Sequence, residues 1–168
     1  MNSAKYKNWI SVLGLTTCPD CRSMHGKIYS ADEVIKPKPP MHFKCKCKIK
    51  WIKALYAGTA TKKGNDGADW WLKWMGKLPG YYITKSEAKG MGFVPKLGNL
   101  AEVAPGKMLY KGEYENRNGH LPCAAGRVWY EADINFTSGF RGYERILFSN
   151  DGLVFVTYDH YNTFQVIV

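Results

Sequence analysis

The sequence predicts an α+β protein on three observations: a cysteine-rich stretch at the start, helix-patterned segments in the middle, and a run of short strand-like segments to the end. Strand-like runs separated by brief turn-forming breaks pair as hairpins rather than as parallel crossovers. Helices packed on a five-stranded antiparallel sheet are therefore expected, preceded by a small cysteine-rich module.

The module comes first. Cys18-Pro19-Asp20-Cys21 is followed, beyond Pro37-Lys38-Pro39-Pro40, by His42-Phe43-Lys44-Cys45-Lys46-Cys47. A structural zinc ion takes four thiolate or imidazole ligands, commonly a C-x-x-C pair plus a second pair, and a segment this small needs such a staple. Zinc is expected, with Cys18, Cys21, His42, Cys45 and Cys47 competing for four places; two disulfides or free thiols are the alternatives. His25 is expected to cap or solvate the turn at Gly26, and Cys123 to be a free thiol. Residues 58–65 are small, polar and glycine-containing, so they read as a linker between a module at 1–57 and a domain at 66–168.

The helices follow. Asp66 is placed to cap a helix carrying Trp70, Trp71, Leu72, Trp74 and Met75, a stripe that reads as core, ended by Gly76. Thr84-Lys85-Ser86-Glu87 has the spacing of a capping box and opens a second helix stopping near Gly90 or Gly92. Lys85 then lies in a first turn, where helix N–H groups and an ammonium attract the same anion. A short third helix fits residues 99–104.

Strands are expected near residues 109–114, 128–134, 143–148, 153–158 and 163–167, with Asp151-Gly152 turning one hairpin. Period-two alternation puts Trp129, Glu131 and Asp133 on one face, and Val128, Tyr130, Ala132 and Ile134 on the other. The first face is the natural floor of a cleft, and the second packs on the helices.

The formal charge is +10 over 168 residues, favouring acidic partners such as nucleic acid. Residues 1–60 carry 11 Lys/Arg against 3 Asp/Glu, and residues 61–168 carry 13 against 11, so the excess is N-terminal. No apolar run is long enough to span a membrane, and the start lacks the apolar core of a secretory signal, so export by another route is expected.

Glu131, Arg141, Arg145 and His160 fall within one stretch of this sequence. A carboxylate can take a proton, an imidazole can give one, and two guanidiniums can hold a phosphate whose charge grows in the transition state. RNA supplies a 2′-hydroxyl beside its phosphodiester, so this set suits its cleavage. On residue types alone, a structural ion network with an ordinary loop histidine is the competing reading.

From about residue 66 onward the chain resembles the barnase-like bacterial ribonuclease family. The motifs that carry the resemblance are Tyr82-Ile83-Thr84-Lys85-Ser86-Glu87-Ala88, Gly98-Asn99-Leu100-Ala101-Glu102-Val103-Ala104-Pro105-Gly106-Lys107, Glu131-Ala132-Asp133-Ile134-Asn135-Phe136-Thr137-Ser138-Gly139-Phe140-Arg141 and Asp159-His160-Tyr161-Asn162-Thr163-Phe164. The resemblance implies a metal-independent endoribonuclease with Glu131 as general base and His160 as general acid. It implies Lys85, Arg141 and Arg145 on the phosphate, Tyr161 in the cleft, Asp133 as a partner of the arginines, and a monomeric catalytic domain with a small acidic barstar-like inhibitor. It further implies that Arg117 lies near a base-recognition loop, which here reads Asn116-Arg117-Asn118-Gly119 and follows Glu115. Where the family usually has a glutamate this loop has Asn118, whose uncharged amide offers one acceptor oxygen, so relaxed base preference is expected.

The first fifty residues, with Cys-Pro-Asp-Cys-Arg, His25-Gly26-Lys27-Ile28-Tyr29 and Cys45-Lys46-Cys47, resemble the cysteine-rich end of Mu-type phage minor head (head-morphogenesis) proteins, though Lys46 stands where an arginine is usual. This implies a delivery or docking adaptor, with a phage head or secretion apparatus as partner. The chain is then expected to be a toxin or effector nuclease, secreted or delivered to a target cell or carried by a phage particle; the alternative is a zinc-stapled phage structural or RNA-binding protein with an inactive nuclease fold.

Overall fold

Trp9 and the sheet residues around Ala132 anchor two separate cores in the computed structural model, which describes residues 5–168. By internal contacts the chain divides into two units. The first takes the described residues up to Ala54 together with Asn116–Gly126, and the second takes Leu55–Glu115 and Arg127–Val168.

In the first unit, β1 (Tyr6–Ile10) lies between β2 (Ile28–Ser30) and β3 (Lys48–Trp51), antiparallel to both. These strands were not legible in the cysteine-rich segment, because β2 and β3 have only three and four residues and little alternation. Trp9 is fully buried; its indole N–H donates to Ser11 Oγ at 3.1 Å, and that hydroxyl donates to the Cys21 carbonyl at 2.6 Å. α1 (Pro19–Met24) begins after Cys18, whose Sγ accepts from the Cys21 N–H as an N-cap hydroxyl would. Pro19 fits its first position because no N–H is needed there.

In the second unit, β6 (Met108–Tyr114), β7 (Trp129–Asp133), β8 (Arg145–Ser149), β9 (Val154–Thr157) and β10 (Gln165–Ile167) form the expected antiparallel meander. The sheet nevertheless has seven strands rather than five. β5 (Tyr82–Thr84) pairs in parallel with β6 at one edge, and β4 (Ala54–Leu55) lies beside β10 at the other. Strands of two and three residues are too short to show a period, so the sequence concealed them.

α2 (Ala68–Met75) starts from Gly67 rather than from Asp66, which lies in a preceding 3₁₀ turn. It ends at Gly76 in the left-handed conformation, as expected. Its tryptophans are not uniformly core: Ala68 and Leu72 face the sheet residues Ala132, Ile134, Ile146 and Val156, while Trp74 is 62% exposed. α3 (Lys85–Gly90) has the expected capping box, with Thr84 Oγ1 accepting from the Glu87 N–H at 3.1 Å and Glu87 Oε2 accepting from the Thr84 N–H at 2.7 Å. α4 (Leu100–Val103) and α3 share a smaller core built on Ala88, Leu100 and Leu109.

Residues 58–65 are tied to α2. The buried Asp69 carboxylate accepts from the Gly58 and Ala60 N–H groups at 2.7 and 2.9 Å and from Thr61 Oγ1 at 3.0 Å. Asp69→Ala strands these donors, each costing about 1–3 kcal/mol when left unsatisfied. A loss of about 3 kcal/mol or more is expected in chemical denaturation of the variant, and a change under about 1 kcal/mol would refute that role for Asp69.

Candidate functional site

β7 carries alternate residues to opposite faces, as the sequence implies. Ala132 and Ile134 enter the helix-facing core, while Trp129, Glu131 and Asp133 share the other face. Register then places Arg145 of β8 beside Asp133, and Leu147 beside Glu131. Glu131, Asp133 and Arg145 are all buried.

Asp133 holds both arginines. Arg141 makes a two-point pair with it, Nε to Oδ2 and Nη2 to Oδ1 at 2.5 Å, and that hydrogen bonding is the main reason the Arg141 guanidinium is held above its ordinary pKa. Arg145 Nε lies 3.2 Å from Asp133 Oδ1 and 3.5 Å from Glu131 Oε1, while its Nη1 donates to the Glu144 carbonyl at 2.8 Å. That buried Nε makes no aligned hydrogen bond, so it meets the two carboxylates through charge alone.

Glu131 Oε1 accepts from Lys111 Nζ at 2.6 Å and from the Tyr161 hydroxyl at 2.5 Å. Burial, then the Glu131 bond, pushes the Tyr161 phenol well above its ordinary pKa, so it remains a proton donor. Among the described residues, Oε2 accepts no hydrogen bond, leaving its lone pairs for an incoming proton. Lys111 itself stays exposed while its ammonium reaches the carboxylate. The β6–β7 register shifts between Tyr110 and Gly112, and Lys111 lies at that irregularity.

His160 is exposed and follows β9, its ring centroid 4.9 Å from that of Tyr161 and 5.2 Å from that of Tyr143. Tyr161 also stacks on Tyr114 at 5.7 Å. Asp159 braces the turn by accepting from Thr157 Oγ1 at 3.0 Å, Thr163 N at 2.9 Å and Thr163 Oγ1 at 2.7 Å. Burial raises the Asp159 pKa, but these bonds outweigh it and hold the carboxyl below its usual range. Lys85 opens α3 and is exposed, without a bond to the carboxylates. Asn116, Arg117 and Asn118 group with the first unit, while Glu115 closes a stretch of the second.

The cysteine cluster fits a metal ion. All five cysteines are free; Cys18, Cys21 and His42 form one donor group, and Cys21, Cys45 and Cys47 a second that shares Cys21. His42 Nε2 is 3.1 Å from Cys18 Sγ and 3.2 Å from Cys21 Sγ, and Cys21 Sγ is 3.7 Å from Cys45 Sγ. A tetrahedral ion with bonds of about 2.3 Å to sulfur and about 2.0 Å to nitrogen sets neighbouring donors about 3.5–3.8 Å apart, so small shifts would seat one. His42 Nδ1 faces the Phe43 carbonyl at 2.9 Å; a carbonyl only accepts, so Nδ1 carries the proton and Nε2 is left to coordinate. Hydrogen bonding from the Cys47 backbone brings the Cys45 thiol down to about 6, and the Cys21 N–H lowers Cys18, both favouring thiolate. His25 is not in the cluster: its Nδ1 accepts from the Ser11 N–H at 3.0 Å.

A family model described as ribonuclease matches residues 74–168, and one described as Phage Mu protein F like protein matches residues 1–50. A ribonuclease of Heyndrickxia coagulans is 52% identical over 100 residues, covering 60% of this chain and 91% of the relative. Ribonucleases of Bacillus intermedius and Bacillus pumilus are also 52% identical over 100 residues, which span 61% of their lengths. Asp133→Ala would leave two guanidiniums beside Glu131 without their main partner, and a stability loss of about 3–5 kcal/mol is expected. Denaturation of the variant checks this; a loss below about 1 kcal/mol would show that the pairing does not hold the end of β7 to the start of β8.

Proposed function

The chain belongs to the ribonuclease family, and from that premise we propose that it is an endoribonuclease cleaving single-stranded RNA by transphosphorylation to a 2′,3′-cyclic phosphate, which it then hydrolyses. The observation that carries this reading is Glu131, with Oε1 saturated by Lys111 and Tyr161 and Oε2 open. Glu131 Oε2 takes the 2′-hydroxyl proton, the 2′-oxygen attacks phosphorus, and His160 protonates the departing 5′-oxygen. Arg141, Arg145 and Lys85 stabilise the phosphate, whose charge grows in the transition state, and Tyr161 keeps Glu131 oriented. Water, activated by His160 acting as base, opens the cyclic phosphate, and Glu131 returns its proton. No step uses a metal.

Asn116, Arg117 and Asn118, with neighbouring Glu115, contact the base, and preference among bases is relaxed because Asn118 brings no charge to the contact. Zinc staples the module at 1–57, with four of Cys18, Cys21, His42, Cys45 and Cys47 as ligands, and 58–65 joins it to the catalytic domain at 66–168. The match of residues 1–50 to phage Mu F-like proteins supports a docking role for that segment, within a toxin or effector delivered through a phage head or secretion apparatus. A small acidic inhibitor then protects the producing cell by covering Arg141, Arg145 and His160.

Cleavage of a short RNA, with product ends identified by mass spectrometry, tests the chemistry. A cyclic phosphate is expected from the wild type, with activity reduced at least about a hundredfold in Glu131→Ala and His160→Gln, the scale of lost acid–base catalysis; full activity in a folded Glu131→Ala variant would refute the assignment. For the metal, about one zinc per chain is expected by mass spectrometry under native conditions, lost in Cys21→Ser because both donor groups share Cys21. Zinc retained by Cys21→Ser, or cleavage abolished by chelation while the second unit stays folded, would overturn the structural role.

A further inference from the structure

The His25-Gly26-Lys27-Ile28-Tyr29 motif is used neither by the cysteine cluster nor by the cleavage chemistry. Within the first unit it receives the loop 116–126. The Ile28 N–H donates to the His120 carbonyl at 2.8 Å, and the His120 ring lies so close over Gly26 that a Cβ there would fall 2.8 Å from Nε2 and 2.9 Å from Cε1. Gly26 is buried at φ +83°, a conformation that glycine adopts freely, and its N–H donates to the carbonyl of the fully buried Trp9 at 2.8 Å. The absent side chain makes room for the imidazole.

His120 in turn holds Asn118. Its backbone N–H donates to Asn118 Oδ1 at 3.2 Å, which fixes the amide orientation because an N–H only donates. Asn118 Nδ2 then lies 3.2 Å from His120 Nδ1, which is therefore the unprotonated acceptor of the ring. On the far side, the Asn116 amide exchanges two bonds with the backbone of the fully buried Leu121, at 2.9 and 3.0 Å.

We propose that residues 26–28 seat the base-contacting loop, and that His120, held on that seat, is a positioning residue that fixes the Asn118 amide and thereby sets discrimination among bases. The proposal rests on the ribonuclease reading above, and its test separates the two.

Full-length wild type, His120→Ala and His120→Asn are compared by amide hydrogen exchange without RNA, and by kcat and KM on four dinucleoside phosphates differing in the 5′ base. His120→Ala is expected to accelerate exchange in residues 26–28 and 116–126 and to raise KM about three- to tenfold, the effect of one lost hydrogen bond, with kcat little changed. His120→Asn, whose Oδ1 replaces Nδ1 as acceptor, restores both. Exchange at residues 26–28 unaffected by His120→Ala overturns the seat, and accelerated exchange with unaltered KM and base ratios overturns the positioning role. If the wild type cleaves none of the substrates, the ribonuclease reading fails, while the exchange measurement still decides the seat.

Discussion

The second unit's charged face depends on one buried carboxylate. Asp133 ends β7, lies in register with Arg145 at the start of β8, and pairs at two points with Arg141 in the connection between them. Three chain segments are thus fixed by a single side chain. Burying these charges is tolerable because each carboxylate faces more than one cation: Asp133 meets both guanidiniums, and Glu131 meets Arg145 and Lys111. Two carboxylates against three cations leave one positive charge over, so the cluster is satisfied internally and still attracts an anion.

The same register explains why charge and core coexist on one strand. Residues 129, 131 and 133 alternate with 130, 132 and 134, so every step that sends Ala132 or Ile134 toward α2 sends Glu131 or Asp133 the other way. A slip of one residue would bury the carboxylates among Leu72, Ile146 and Val156 without partners, so apolar packing and ion pairing enforce the same pairing. Positional precision at Glu131 therefore derives from the hydrophobic face opposite it.

Much of this was legible in the sequence because it follows from local rules. Thr84 and Glu87 announce a cap, Gly76 a helix end, and alternation the two faces of β7. What stayed hidden depends on tertiary pairing or on too few residues. β4 and β5 are too short to carry a period, and Trp74 is exposed despite its apolar surface because α2 meets the sheet through Ala68 and Leu72 alone. Lys111 is an exposed strand residue whose bond to Glu131, twenty residues away, arises only from the β6–β7 pairing. The association of residues 116–126 with the first unit joins positions some ninety apart, and no local pattern encodes it.

Backbone conformation at His160 and Tyr161 carries the last constraint. Both are left-handed, at φ +56° and +69°, where residues with a Cβ cost about 1–2 kcal/mol each. Nothing intrinsic to histidine or tyrosine favours two such residues in succession, so the surroundings must impose them. Asp159 does so from one side through Thr157 and Thr163, Thr157 Oγ1 accepts the Tyr161 N–H at 2.9 Å, and the Tyr161 hydroxyl reaches Glu131. The strain thus has a use: the left-handed turn lets Tyr161 reach the buried carboxylate while the adjacent His160 ring stays at the surface. An extended pair would send successive side chains to opposite faces, whereas here the two rings remain 4.9 Å apart. A group bonded to Glu131 and a neighbouring imidazole are therefore placed together by backbone geometry, with Asp159 as the residue that makes that geometry affordable.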